Sequence, residues 1–358
     1  MSVVVLGAGP AGSTAAIALA RAGRSPRLLE RTERVGNALC GGFLSWRTLG
    51  QLERLGLSSA DLGGHPVSEL AVFAGRRSIR APLPAIAAGV SRHRLDSRLN
   101  ALAESAGVAI ERGVTALDWR DGALRLAGDT TLWPHALFLA TGKHELRGLP
   151  RGGRADGGDP SLGLRVTLSP GPKLARELAG RIELHLFAGG YAGIVVQEDG
   201  RANLCLAARK SALADADGSP DTLLARWADE SGPFADRLAA RDGRPADAVA
   251  AVPYGWRATD TPDGVWRLGD QAAVIPSLAG EGLGIAVASA VDAVAAFVAG
   301  KRSPEWQARF ALAATRPLRV AGWLRSIGER PGVARHLLPL ARLPMVVDLV
   351  GGATRIAA

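Results

Sequence analysis

The chain has 358 residues, 47% of them hydrophobic, and a formal net charge of +9. That length and composition fit one large domain or two closely packed ones and exclude a disordered chain as the starting assumption. Two cysteines are too few for a disulfide framework and six histidines show no metal-ligand spacing, so no metal is expected and a reducing, cytoplasmic setting is the simplest inference.

The N-terminus, MSVVVLGAG, enters an apolar run without a basic region or cleavage site, so no signal peptide is expected. Asp292, inside the apolar stretch 283–299, argues against a membrane span. Val3 to Leu6 reads as a buried parallel strand, Pro10 to Ala22 as an alanine-rich helix, and Pro26 to Leu29 as a second strand ending in Glu30. This order makes a βαβ unit. A helix is expected over Trp46 to Leu57, short strands separated by Gly and Pro over 70–90, a helix over Arg94 to Ala106 and a strand at Val108 to Ile110. Val114 to Leu132 alternates like a meander turning at Asp121-Gly122, and Ala136 to Ala140 is another buried strand closed by Thr141-Gly142. Residues 143–160, rich in Gly, Arg and Pro, read as a crossing between domains. Strands at 163–168, 182–187, 191–197 and 202–207 suggest an antiparallel sheet, followed by a helix at 221–240 and a strand from Val265 to Leu268.

Two glycine clusters carry chemistry. Gly7-Ala8-Gly9-Pro10-Ala11-Gly12 fits G-x-G-x-x-G between a strand and a helix. The first glycine permits the tight turn, the second lets a pyrophosphate approach the backbone, and the third allows helix to pack on strand. The helix starting near Pro10 would turn free N–H groups toward that pyrophosphate, and Glu30 is placed to accept from a ribose hydroxyl. The plainer alternative is a structural glycine turn. In the second cluster, Gly269-Asp270 ends a strand, Pro276 follows, and Gly280-Glu281-Gly282-Leu283-Gly284 opens a long helix. Asp270 can accept from a polyol hydroxyl, while the helix start offers N–H groups to an electron-rich ring edge.

With SRHRLDSRL at 91–99 and FLATGKH at 138–144, these clusters make the chain resemble the FAD-dependent monooxygenase and geranylgeranyl-reductase superfamily, over about residues 1–300. The resemblance implies an α/β fold: a Rossmann-like FAD-binding domain from 1–69, 91–160 and 261–300, an inserted antiparallel-sheet substrate domain from 70–90 and 161–260, and a helical, basic C-terminal region, 301–358. It implies that Gly7, Gly9, Pro10, Ala11, Gly12, Glu30 and Arg31 hold the ADP half of FAD and that Arg92 and Gly41 lie near the cofactor. It also implies that Ala140, Thr141 and Gly142 pack beside the first βαβ unit, that Gly269 and Asp270 hold the ribityl chain, and that Pro276, Gly280, Gly282, Leu283 and Gly284 border the isoalloxazine.

Two stretches depart from the superfamily pattern. Where its hydroxylases carry Asp-Gly-x-x-Ser after the Ala-Thr-Gly turn, this chain has KHELRGLPR at 143–151, which departs from the usual handling of NADPH or NADH, the expected electron donor. CGGFLS at 40–45 resembles the reductase branch, but GGYAGIVV at 189–196 keeps only Tyr191 of that branch's Tyr-x-Trp-x-Phe-Pro strand, so a wider pocket is expected there. KHELRGLPR together with GGYAGIVVQEDGRANLCL is similar to flavoproteins found beside type III polyketide synthases. No catalytic residue is assigned. Cys40 and Tyr191 are pocket candidates, each with the plainer reading of a core side chain, and His93 and His144 are proton-transfer candidates by type alone.

The expected activity is hydroxylation of an aromatic, polyketide or lipidic small molecule through a flavin hydroperoxide. The alternatives are reduction of an isoprenoid or polyene double bond and a non-catalytic flavoprotein or binding module. The tail holds ten Lys/Arg against three acidic residues, a net of +7 interleaved with Trp323, Leu337 and Met345. It is a candidate surface for anionic lipid or an acidic carrier protein, at the inner face of a membrane, or a plain arginine-rich solvated face. No nucleic-acid partner is expected.

Overall fold

The computed structural model describes residues 2–152, 159–342 and 344–356. Part of the expected domain crossing at 143–160 therefore lies outside the described residues.

Five strands form a parallel sheet in the order Val265–Arg267, Ala136–Leu139, Val3–Leu6, Pro26–Glu30, Ala109–Arg112. Every residue of Val3–Leu6 and Ala136–Leu139 is buried, as a strand covered on both faces requires. Val3 and Val5 face helices Pro10–Arg21, Arg92–Ser105 and Gly282–Val298, where Ala11, Ala15, Leu99, Ile285 and Ala290 complete the core. Val4 and Leu6 face the other way, onto Trp119 and Leu124 of a three-stranded meander, Ala116–Arg120, Ala123–Leu126 and Thr131–Leu132. That meander turns at Asp121 (φ 51°) and Gly122 (φ 83°), the geometry in which a two-residue hairpin matches the strand twist.

The second sheet has eight strands, ordered Asp247–Val252, Ser161–Leu168, Ala202–Arg209, Gly190–Val196, Arg181–Phe187, His65–Ala74, Arg77–Gly89, Phe43–Leu44. It is antiparallel except where Arg181–Phe187 runs parallel to His65–Ala74. Instead of short strands over 70–90 there is a hairpin of two long ones, and the sheet begins at His65 with Phe43–Leu44 joined to its edge. One face is closed by helices Pro172–Leu178, Pro220–Glu230 and Gly232–Leu238, with Phe187 stacked on Trp227 at 4.4 Å between ring centroids. The single helix expected at 221–240 is broken at Ser231, whose φ/ψ of −143°/101° is extended and whose hydroxyl accepts from the Phe234 N–H at 3.4 Å. Gly232-Pro233 is the local reason, because proline suits the first turn of a new helix and disrupts the interior of an old one.

The tail is helical: Ser303–Gly328, Pro331–Leu337, a 3₁₀ turn at Leu338–Arg342 and Pro344–Ala353. It is built into the molecule, since Trp306, Phe310, Leu318 and Ile356 belong to the core around the parallel sheet while Ala334 and Leu338 pack with Val72, Tyr191 and Tyr254. No helix among the described residues is long and apolar enough to cross a membrane.

Candidate functional site

The chain leaves Val3–Leu6 at Gly7, whose φ of +103° lies in the region that favours glycine; a Cβ there would stand 2.5 Å from the Ala140 carbonyl oxygen. Gly12 is under closer pressure, because a Cβ on it would lie 1.8 Å from the Gly7 carbonyl oxygen. Helix and strand therefore meet backbone to backbone. Helix Pro10–Arg21 starts with proline, and the N–H groups of Ala11 and Gly12 in its first turn have no acceptor within the helix.

Beside this turn runs a cavity of about 1180 Å³ that touches both sheets and the tail. Gly7, Gly9, Pro10 and Ala11 line it, and Gly12 stands behind them as the packing residue. Glu30 lines it too, with one carboxylate oxygen accepting from the Ala8 N–H at 2.8 Å and the other from Thr32 N–H and Oγ1 at 2.9 and 2.8 Å. Burial pushes the Glu30 pKa up, but those hydrogen bonds and Arg112 outweigh it and hold the carboxyl below its ordinary value. A carboxylate has about four lone-pair sites, so room remains for a ribose hydroxyl.

Arg92 grips Asp96 one turn on with two bonds of 2.9 and 2.7 Å, and its Nη2 would be 3.4 Å from a Cβ on Gly9. Burial alone would lower the Arg92 pKa; Asp96 outweighs it, with smaller help from Cys40 and Asp270, and the guanidinium stays charged beside the glycine turn. Arg31 also lines the cavity and donates to His144 Nε2 at 2.7 Å. Burial and the neighbouring cations Arg31, Arg151 and Lys143 push the His144 pKa down, so it is a neutral acceptor there. His93 is tied to Val35 O by Nδ1 at 3.0 Å and does not line the cavity.

The second glycine cluster comes to the same cavity. Gly269, Asp270, Gly280, Gly282 and Leu283 line it, as do Ala140, Thr141 and Gly142, whereas Pro276 and Gly284 stand one residue behind the wall. The strand ends at Arg267, and residues Gly269–Gln271 form a 3₁₀ turn held by the Gly269 N–H on Ser289 Oγ at 2.9 Å and by Gln271 Nε2 on the Gly142 and His144 carbonyls at 2.8 and 2.9 Å. The turn leaves the Asp270 carboxylate on the cavity wall with no side-chain partner among the described residues. A glycine-walled cradle, unpartnered helix N–H groups and a free carboxylate on one cavity together fit FAD, and these are the residues that would hold it.

Cys40, Gly41 and Tyr191 line the cavity as well. Cys205 lines it too, and burial pushes its thiol up to about 12, leaving no nucleophilic thiolate there. Sequence reasoning missed a hydroxyl chain on the far side of the cavity. Tyr191 Oη lies 2.7 Å from Ser277 Oγ, Tyr254 Oη lies 2.9 Å from the same oxygen, and the Leu278 N–H donates to Tyr191 Oη at 3.1 Å. Three hydroxyl protons serve two links, so one is left to donate to something else. Burial raises both phenol pKa values, so the chain is neutral, and the Arg325 guanidinium sits 4.9 Å over the Tyr254 ring. Glu281 was also missed. Burial raises it to about 7, against the pull of Ser45 and Arg47. Its only sequence signal was its place between two glycines already singled out. Asn100 likewise went unnoticed; its Nδ2 donates to the Ala8 carbonyl at 2.9 Å and braces the first turn from behind.

Residues 1–117 match the family described as FAD binding domain. The chain begins with an FAD binding domain. That match supports FAD binding, and the fold is similar to those of an FAD-dependent monooxygenase and a geranylgeranyl bacteriochlorophyll reductase-like protein, as the motifs led one to expect. The flavoprotein is 29% identical to the menaquinone reductase of Mycobacterium tuberculosis (strain ATCC 25618 / H37Rv) over 304 residues, 78% of this chain and 72% of that protein. A menaquinone reductase of Mycolicibacterium smegmatis matches at 28% over 301 residues, again 78% of this chain and 72% of that one. Among solved structures it is similar to Pseudomonas aeruginosa PqsL in complex with 2-aminobenzoylacetate (TM-score 0.73, 16% identity, 95% of this chain and 99% of that one). A geranylgeranyl bacteriochlorophyll reductase-like protein of Thermoplasma acidophilum matches with a TM-score of 0.69 and 19% identity, over 100% of this chain and 93% of that one.

Proposed function

We propose that this flavoprotein reduces an apolar, oxygen-bearing lipid of the quinone or isoprenoid kind. The observation that carries this reading is the wall of the cavity beyond the glycine cradle: Val72 and Leu184 from the large sheet, with Leu324, Leu338, Val346 and Val350 from the tail. The volume exceeds the usual 300–1,000 Å³ or so of a small-molecule site, which suits a cofactor and a long apolar partner together. The menaquinone reductases that the chain resembles support reduction over hydroxylation, the activity first expected from the sequence.

Reducing one double bond or one quinone takes two electrons and two protons. Bound FAD would supply the electrons, and we assign a reduced nicotinamide as their source. In this reading Asp270 accepts from the ribityl hydroxyls, Arg92 offers its charge beside the Gly9 turn, and the tail excludes water from the reacting centre. The spare proton of the Tyr191–Ser277–Tyr254 chain binds and orients a substrate oxygen.

The test is anaerobic mixing of the reduced holoprotein with a prenylated naphthoquinone in detergent. The expected result is return of the oxidised flavin spectrum with a product two hydrogens heavier. If the anaerobic mixture gives no such product and the same mixture in air gives a hydroxylated one with matching oxygen consumption, reduction is overturned; a cofactor-saturated protein without a yellow spectrum would overturn both activities.

A further inference from the structure

The last helix, Pro344–Ala353, has apolar side chains on two opposed sides. Val346, Val347 and Val350 line the cavity, while Met345 and Leu349, one turn apart, are 75% and 72% exposed. Apart from Asp348 the helix carries apolar side chains or glycine after its proline, and the Met345 and Leu349 side lacks a cover. The uncovered surface extends beyond this helix. Leu337 and Leu340 both line the cavity and are exposed, so the apolar cavity wall continues onto the surface at this turn. On Ser303–Gly328, the exposed residues Leu312, Arg316, Arg319 and Trp323 follow at intervals of four, three and four, which places them on one side of the helix. Trp323 directly precedes the cavity-lining Leu324.

The charge of this surface is one-sided. Arg316, Arg319, Arg330 and Arg335 are exposed and form no salt bridge among the described residues, whereas the nearby acids are engaged: Asp348 by Arg47 at 3.2 Å and Glu329 by Arg209 and Arg325 at 2.8 and 2.5 Å. A second copy of the chain would bring a like set of arginines against this one. An acidic carrier protein would meet the charge but leave Met345, Leu349 and Trp323 in water. Tryptophan and leucine among arginines suit the headgroup boundary of an anionic bilayer.

We propose that the outer side of the C-terminal segment docks on an anionic lipid surface and that substrate enters the cavity there, between Leu337 and Leu340. The inference rests on the reading of the substrate as a lipid and names where that lipid comes from.

The experiment is co-sedimentation of the FAD-loaded protein with vesicles of phosphatidylglycerol and phosphatidylcholine in equal parts, and with phosphatidylcholine alone. Binding should be about tenfold or more tighter to the anionic vesicles and should weaken in high salt. M345S/L349S should lose about tenfold or more of that binding, and R316E/R319E a similar factor, with FAD affinity and melting temperature unchanged because all four side chains are exposed. Failure of the wild-type holoprotein to bind anionic vesicles would overturn the proposal. So would a stable dimer in solution that L349E converts to monomer, since the face would then belong to a second copy. Turnover of detergent-dispersed quinone without vesicle binding would defeat the docking alone, and vesicle binding without quinone turnover would defeat the reductase reading alone.

Discussion

Asp270→Ala isolates the ribityl contact from everything that holds the loop. The turn is fixed by the Gly269 N–H on Ser289 and by Gln271 on the Gly142 and His144 carbonyls, and the Asp270 carboxylate takes part in none of these bonds. Removing it should therefore leave the fold as it is. What is lost is a hydrogen bond from a ribityl hydroxyl to an ionised acceptor, worth about 1.5–3 kcal/mol. That corresponds to a dissociation constant for FAD weaker by roughly 10- to 150-fold. Asp270→Asn keeps an acceptor of the same shape and loses only the charge, so its effect should be smaller. The assay is quenching of flavin fluorescence on titrating apoprotein, with the melting temperature of the apoprotein as a control. An affinity within about twofold of wild type for Asp270→Ala would refute the placement of the ribityl chain.

Two further predictions concern stability against pH, and their signs are opposite. Burial raises Glu281 from 4.5 to about 7, so its contribution is complete below about pH 4.5 and lost as pH rises through 7, in total about 3 kcal/mol. Glu281→Gln should therefore raise the melting temperature at pH 8 and flatten its fall between pH 5 and 8; an unchanged slope counts against a buried neutral acid. Glu183 is fully buried, and although burial pushes it up, the bonds from His185 and Arg237 outweigh this and hold it at about 2. Its contribution is present above about pH 4.5 and lost as pH falls toward 2. Arg237→Leu leaves that carboxylate without its partner at 3.0 Å and should cost about 3–5 kcal/mol near neutral pH, read from urea unfolding; a loss below about 1 kcal/mol would show that the cluster is not held by charge.

The parts of the fold that were legible depend on local pattern. Val3–Leu6 and Ala136–Leu139 are short apolar runs stopped by glycine, and each is buried at every position. The hairpin of His65–Ala74 and Arg77–Gly89 was illegible because Pro66, Pro82 and Pro84 read as breaks. Pro82 and Pro84 are tolerated because Arg77–Gly89 is an edge strand for most of its length, with Phe43–Leu44 paired only at Ala88 and Gly89, and Pro66 because it precedes Glu69, where the pairing with Arg181–Phe187 begins. The strand Asp247–Val252 was missed for a related reason. It lies at the opposite edge of the sheet, and its sequence, DAVAAV, has as much of a helix as of a strand about it.

The site divides along the same line, between what the backbone needs and what side chains do together. Gly7 and Gly12 could be found because a Cβ would collide with backbone at those places, and that constraint leaves a glycine in the sequence whatever the rest of the chain does. Tyr191, Tyr254 and Ser277 carry no such mark. Their meeting depends on a strand of the large sheet, the segment after Val252 and the loop after Pro276 arriving at one point, and no local pattern encodes that. The tail shows how little a correct count decides. Its net charge of +7 fits a surface for anionic lipid or an acidic carrier as well as a solvated arginine-rich face, and charge counting is blind to where the leucines and valines go. Leu324, Leu338, Val346, Val347 and Val350 line the cavity while Leu312, Val333 and Leu349 are exposed, so the segment that looked least specific supplies part of the cavity wall.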